Sequence, residues 1–348
     1  MPLIRSALNP IITPAMVPPS RPDFEVVCAF NAGVARLGNE VILLLRVAER
    51  PRSTDPRFGV APIFDVQTGQ MILKTFARDN PAYDFSDTRM IFAPEGMYLT
   101  SLSHLRVARS LDGEHFTIDP APALFPATEY ETYGLEDPRI TLIDGTYYIA
   151  YTAVSPRGIV VALASTRDFK TYERLGVMLP PDNKDVALFP EKINGRYYTL
   201  HRPCQSAIGR TEIWLAESPD LVSWGRHQSI LRLQEAAWDE ARIGAGAPPL
   251  RTPQGWLEIY HGVNHAGVYM LGLTLLAADN PARVLARGLQ PLLVPEADYE
   301  INGFFGKVVF SCGALCEDGL LKIYYGAADA YMGYATIPLA EALDCLQV

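Results

Sequence analysis

The segment Gly134-Leu135-Glu136-Asp137-Pro138-Arg139 sets two carboxylates and a guanidinium around a proline, directly before the apolar run Ile140 to Ile143. Acidic residues at the mouth of a β-strand are a poor choice for stability, because Asp and Glu are depleted in strands. They are well suited to moving a proton, for instance to a glycosidic oxygen. The same side chains could instead close a surface turn with a local ion pair. Pro138 biases the backbone of Asp137 toward an extended conformation.

Further polar groups gather at the ends of apolar runs along the chain. They include Asn31 and Arg46, then Asn183-Lys184-Asp185 before Val186 to Phe189, and His201-Arg202-Pro203. Arg242-Ile243-Gly244-Ala245-Gly246-Ala247-Pro248-Pro249 follows, then Tyr260-His261-Gly262 and Tyr324-Tyr325-Gly326-Ala327-Ala328-Asp329. Singly, each has a plain structural role. His201 and His261 could be satisfied core histidines, Lys184-Asp185 a solvated turn, Gly244 to Pro249 a bend and Asp329 a turn cap. Core packing does not account for their recurrence at equivalent places on successive repeats.

The elements that would position them are short strands in a repeated phrase. A glycine turn precedes a run rich in aromatic and β-branched residues at Gly38, Gly96, Gly145, Gly195, Gly255 and Gly319, giving spacings of 58, 49, 50, 60 and 64 residues. That period is near the length of a β-propeller blade. A second phrase, an apolar strand ending in a polar turn, occurs at Leu111-Asp112-Gly113, Thr166-Arg167-Asp168-Phe169 and Ser218-Pro219-Asp220-Leu221. Helical periodicity is confined to 338–345 and 232–241. The reading is all-β: one propeller domain over residues 1–348, of five or six blades by repeat count. The first and last units share a blade, and residues 1–25 form an extension that packs on the propeller or on a neighbouring subunit. Starts of inner strands in a propeller ring one end of a central channel, so polar residues there converge on one cavity.

Composition narrows the function classes. The chain has 348 residues, 49% apolar and 20% charged, as a globular protein does. A net charge of −9 and a pI near 5.2 argue against nucleic acid, which selects a basic stripe. Five cysteines, an odd number without a His or Cys cluster, argue against a metal site or a disulfide framework and favour reduced thiols in a cytoplasm. No stretch approaches the roughly 18 apolar residues of a membrane span. The proline-broken N-terminus does not read as a signal peptide.

From about Asn31 to Asp329 these motifs, in this order, resemble those of glycoside hydrolase family 130, the β-mannoside phosphorylases and β-mannosidases. The resemblance implies a five-bladed β-propeller with its active site in the central cavity, so six glycine turns would not mean six blades. It implies that Asp137 is the general acid, protonating the glycosidic oxygen through a hydroxyl of the bound mannose. Asp185 and Asp329 match sugar-binding positions, with Asn31 and Arg46 as further contributors. Members often form homo-oligomers.

The two branches of the family differ in what attacks the sugar. Inverting hydrolysis needs a second carboxylate to activate water. Phosphorolysis needs cations to hold a dianion, and the arginine fork suits phosphate. Arg202, Arg242 and His261 resemble the family's phosphate-binding set, with Lys184 as a fourth member. Glu212 and Glu258 are the carboxylates nearest in sequence that could serve as a base; Glu212 is the stronger, since Glu258 lies mid-strand. The reading is therefore inverting phosphorolysis of a β-mannoside, with a β-1,2-mannobiose or short β-1,2-mannooligosaccharide favoured, giving α-mannose 1-phosphate. Phosphate is a co-substrate and no cofactor or metal is called for. The alternatives are a hydrolytic β-1,2-mannosidase and a mannoside-binding propeller without catalysis.

Overall fold

The computed structural model describes residues 3–52, 55–204 and 208–346. It is all-β, as expected, and its strands fall into five antiparallel groups in chain order. The first runs Phe24–Leu37, Glu40–Pro51, Leu102–Ser110 and Thr117–Ile118. The second runs Gly134–Ile143, Thr146–Ser155, Gly158–Thr166 and Glu173–Leu179. Asn183–Leu188, Tyr197–Pro203, Ile213–Ser218 and Gly225–Leu231 make the third. Arg242–Ala245, Gly255–Val263, Tyr269–Leu276 and Val284–Arg287 make the fourth. The fifth is Val309–Glu317, Leu320–Ala327 and Tyr331–Pro338, completed by the N-terminal strand Ile4–Arg5. Both ends of the chain thus contribute to one sheet. The first two groups touch through a single parallel pair, Gly134 with Ser103. Among the described residues the sheets are open and none closes on itself.

Local chemistry explains the repetition. The turns Asp144-Gly145, Asn194-Gly195 and Asp318-Gly319 have positive φ at both residues, from 49° to 78°, the geometry that suits the twist of a two-residue hairpin. The polar turns after the third strand share one device in three groups. The hydroxyls of Ser110, Thr166 and Ser218 accept the N–H of the residue three positions on, at 2.8, 3.0 and 2.9 Å. Asp112, Asp168 and Asp220 then accept two N–H groups each from the residues that follow.

Five of the six glycine turns lead into the second strand of a group. The sixth, Gly96, belongs to a separate hairpin, Met90–Ala93 with Gly96–Leu99. This hairpin and a second, Phe58–Asp65 with Gln70–Ala77, are inserted between the second and third strands of the first group. A glycine turn reports a hairpin and not where the hairpin is placed, which is why the turn count exceeded the number of groups.

The helix expected at 338–345 is present as Leu339–Asp344. The one expected at 232–241 is absent. There Trp238 stacks on Tyr260 with centroids 5.5 Å apart, and the buried Asp239 accepts the Tyr260 hydroxyl at 2.8 Å and pairs with Arg287, so tertiary contacts override helix propensity. A four-residue helix, Asp298–Ile301, carries no sequence signal noted above. Of the N-terminal extension, Ile11, Ile12 and Val17 are buried in a cluster with Leu43, Tyr324 and Met332.

Candidate active site

The first strands of the first three groups carry a shared irregularity. Their pairing register slips between Phe30 and Gly33, between Glu136 and Arg139, and between Lys184 and Ala187. At each slip one residue adopts a left-handed backbone: Asn31 at φ 46°, Asp137 at 47° and Asp185 at 53°. A bulge of this kind breaks the in-out alternation and re-aims a side chain. Asn and Asp are the residues other than glycine that tolerate the conformation best. Asp137 is therefore not extended, as the following proline suggested; the bulge overrides that bias. Ala328 and Asp329, at 47° and 49°, make a comparable kink after the strand Leu320–Ala327. Gly326 is required for a different reason, since a Cβ there would stand on the Asn31 carboxamide.

The result is one cavity of about 280 Å³. Asn31, Arg46, Asp137, Lys184, Asp185, Arg202, Arg242, His261 and Asp329 all line it. Around Asp137, the Asn31 amide donates to Oδ1 at 3.0 Å and Arg46 Nη1 donates to the same oxygen at 2.9 Å. Arg46 Nη2 donates to Glu136 at 2.8 Å, and Lys184 donates to the other Glu136 oxygen at 3.2 Å. Lys184 thus binds Glu136, next to Asp137. Burial alone would push the Asp137 pKa up; Arg46, Arg139, Lys184 and the Asn31 hydrogen bond outweigh it and hold the carboxyl below its ordinary range.

Asp185 organises the other cations. Arg139 Nη2 donates to it at 3.1 Å, Arg202 Nε lies at 3.0 Å and His261 Nε2 at 3.4 Å. Against the cost of burial, Arg202, Arg139 and Lys184 hold Asp185 ionised far below the usual carboxylate range. Arg139 also donates to the backbone carbonyls of Asp137, Ala245 and Gly246, which ties the second group to the fourth. His261 differs from a cationic ligand. Burial, with Arg202, Arg139 and Arg242 nearby, lowers its pKa to about 3 despite Asp185, so its ring is neutral. Among the described residues, Arg202 Nη1 and His261 Nδ1 have no hydrogen-bond partner. Buried polar atoms of this kind are costly unless a ligand satisfies them.

Glu212 does not reach the cavity. It lies just before the third strand of the third group, two strands out from Asn183–Leu188, where Ser229 donates to it at 2.9 Å and the Leu233 N–H at 3.4 Å. Glu258 is fully buried outside the cavity, accepting the Gly246 N–H at 3.0 Å, and burial raises its pKa well above the ordinary value.

Several lining residues escaped the sequence reading. Tyr269 accepts Arg242 Nη1 at 2.7 Å and stacks over His261 with centroids 6.2 Å apart. Arg89 arrives from the inserted hairpins, its guanidinium 4.4 Å over the Phe305 ring. Phe304 and Phe305 come from a loop flanked by Gly303 and Gly306, and an aromatic pair between glycines was the available signal.

An all-β chain that brings Asp137, Asp185 and several arginines into one cavity is built like a carbohydrate-active enzyme. The model of glycoside hydrolase family 130, described as beta-1,4-mannooligosaccharide phosphorylase, matches residues 90–348. The chain belongs to that family and is an enzyme of its mannoside-phosphorylase type. It is 47% identical to a beta-1,2-mannobiose phosphorylase of Listeria innocua, over 100% of this chain and 99% of the relative. It is 41% identical to a 1,2-beta-oligomannan phosphorylase of a Thermoanaerobacter species, over 71% of this chain and 83% of that protein. The solved structure of the beta-1,2-mannobiose phosphorylase from Listeria innocua in complex with beta-1,2-mannobiose superposes with a TM-score of 0.96, covering 99% of both chains at 47% identity.

Proposed function

We propose that this enzyme phosphorolyses β-1,2-linked mannobiose, or a short β-1,2-mannooligosaccharide, with inversion to α-mannose 1-phosphate. The observation that carries the reading is the cationic end of the cavity. Arg202, Arg242 and a neutral His261 stand together there, and Arg202 Nη1 and His261 Nδ1 are unpartnered among the described residues. Such a set is suited to a phosphate dianion. Glu212 is engaged elsewhere and Glu258 lies outside the cavity, which speaks against a water-activating base from either.

In the proposed reaction a phosphate oxygen attacks the mannosyl anomeric carbon as the glycosidic C–O bond breaks. Asp137 supplies the proton, through a mannose hydroxyl, to the departing sugar oxygen; the proton carried by the phosphate restores Asp137. Asp329, Asn31 and Arg46 hold the mannose being transferred. Asp185 orients Arg202 and His261 as well as lying within reach of the sugar. Phosphate is the co-substrate, and the step needs no cofactor. We read the five strand groups as five blades around the cavity, and the enzyme as cytoplasmic. The β-1,2 linkage follows the two relatives, whereas the family description names a β-1,4 substrate. Phosphate-dependent turnover of β-1,2- against β-1,4-mannobiose tests both parts: preference for the β-1,4 sugar would overturn the linkage, and release of mannose without phosphate would overturn the reaction.

A further inference from the structure

The match to the family begins at residue 90 of this chain, yet an N-terminal side chain is tied to the cavity wall. Arg5 grips Glu300 with two hydrogen bonds, Nε to Oε1 at 2.8 Å and Nη2 to Oε2 at 3.0 Å. Arg5 also donates to the Val294 carbonyl at 2.6 Å. Glu300 is fully buried and accepts three more donors: the N–H groups of Glu296 and Ala297 at 2.8 and 3.0 Å, and the Tyr325 hydroxyl at 2.8 Å.

From Glu300 the connection runs to the site. The Glu300 carbonyl accepts the Val308 N–H at 3.1 Å, and the Val308 carbonyl accepts the Ala328 N–H at 2.9 Å. The Ala328 carbonyl in turn accepts the Phe305 N–H at 3.1 Å. A Cβ on Gly303 would meet the Ala328 backbone, so the loop lies flat against the kink that presents Asp329. Tyr325, the second group held by Glu300, is on the strand that ends in that kink.

We propose that Arg5 is a positioning residue for mannoside binding: through Glu300 it fixes the loop carrying Phe304 and Phe305, and with it the left-handed Ala328-Asp329 pair. A buried carboxylate that accepts this many donors holds one geometry only while its charge is paired. Losing Arg5 leaves Glu300 uncompensated, and the loop is the segment joined to the Glu300 backbone through Val308 and Ala328. This inference rests on the reading of Asp329 as a sugar ligand.

The test compares Arg5→Ala, Arg5→Lys and the double variant Arg5→Ala/Glu300→Gln in the full chain, assayed below the melting temperature of each. Arg5→Ala raises the KM for β-1,2-mannobiose about tenfold and leaves the KM for phosphate within about twofold. Arg5→Lys, which keeps the charge and loses the fork, falls between. The double variant recovers most of the loss, because the carboxamide introduced by Glu300→Gln still accepts the Glu296 and Ala297 N–H groups without a buried charge. Unchanged sugar KM in Arg5→Ala, or equal weakening of sugar and phosphate, overturns the proposal. Should the wild-type enzyme not turn mannobiose over with phosphate, the proposed function fails instead; calorimetric binding of mannobiose to wild type and Arg5→Ala then decides the role of Arg5 by itself.

Discussion

Arg46 donates to Asp137 at 2.9 Å through one guanidinium nitrogen and to Glu136 at 2.8 Å through the other. One cation thus spans the two adjacent carboxylates of the Glu-Asp-Pro-Arg segment and helps to hold the Asp137 carboxyl below its ordinary range. A general acid must carry a proton. In the proposed reaction a bound phosphate dianion would offset the cations that depress Asp137, so the carboxyl would become easier to protonate once phosphate is in place. On that proposal acid and nucleophile are coupled electrostatically across one small cavity.

Asp137→Asn removes the proton donor and keeps the shape. We expect kcat to fall by about a hundredfold to ten-thousandfold, the usual worth of a positioned acid, in both phosphorolysis and the reverse synthesis. Initial rates in the two directions, with a thermal melt to confirm folding, check this. Activity near wild type would remove Asp137 from the role.

Arg242 is exposed and donates to Tyr269, so its loss leaves little stranded in the protein. Arg242→Ala should raise the KM for phosphate by about tenfold to a hundredfold, the worth of a charge-assisted hydrogen bond, with the KM for mannobiose little changed. Equal effects on the two substrates would mean that Arg242 is not a phosphate ligand.

The pH profile should have a limb set by Asp329. Burial pushes its carboxyl up to about 6, with Arg46 and Arg89 pulling down and Asp137 and Glu136 pushing further up. As the proposed sugar ligand, Asp329 accepts hydrogen bonds from sugar hydroxyls in its ionised form, so mannoside binding should weaken as pH falls through that value. Measured at saturating phosphate from about pH 5 to about pH 8, kcat/KM for mannobiose should drop on the acid side, and Asp329→Asn should flatten that limb at a lower plateau. A limb that persists in Asp329→Asn belongs to another group.

The parts of this site that were legible in sequence share a cause. Asn31, Asp137 and Asp185 occupy bulges on the first strands of successive groups, so a repeated local device carried them to one place and could be read as a repeat. What failed was decided at longer range. The proline rule for Asp137 lost to the bulge, and the helix at 232–241 lost to the packing of Trp238 and Asp239. Glu212 could not be excluded as a base from sequence, because its distance from the cavity depends on which strand of the group it adjoins. The charge of His261 follows from burial among arginines far apart in the chain. Arg89, Phe304 and Phe305 come from inserted hairpins and a loop whose docking no local pattern encodes.

The central claim is that the cations opposite Asp137 hold phosphate as the attacking group. The direct measurement is product analysis from β-1,2-mannobiose incubated with the purified enzyme, with and without inorganic phosphate. The account predicts equal amounts of mannose and α-mannose 1-phosphate when phosphate is present, and no appreciable mannose when it is not. Mannose released at the same rate without phosphate would contradict it.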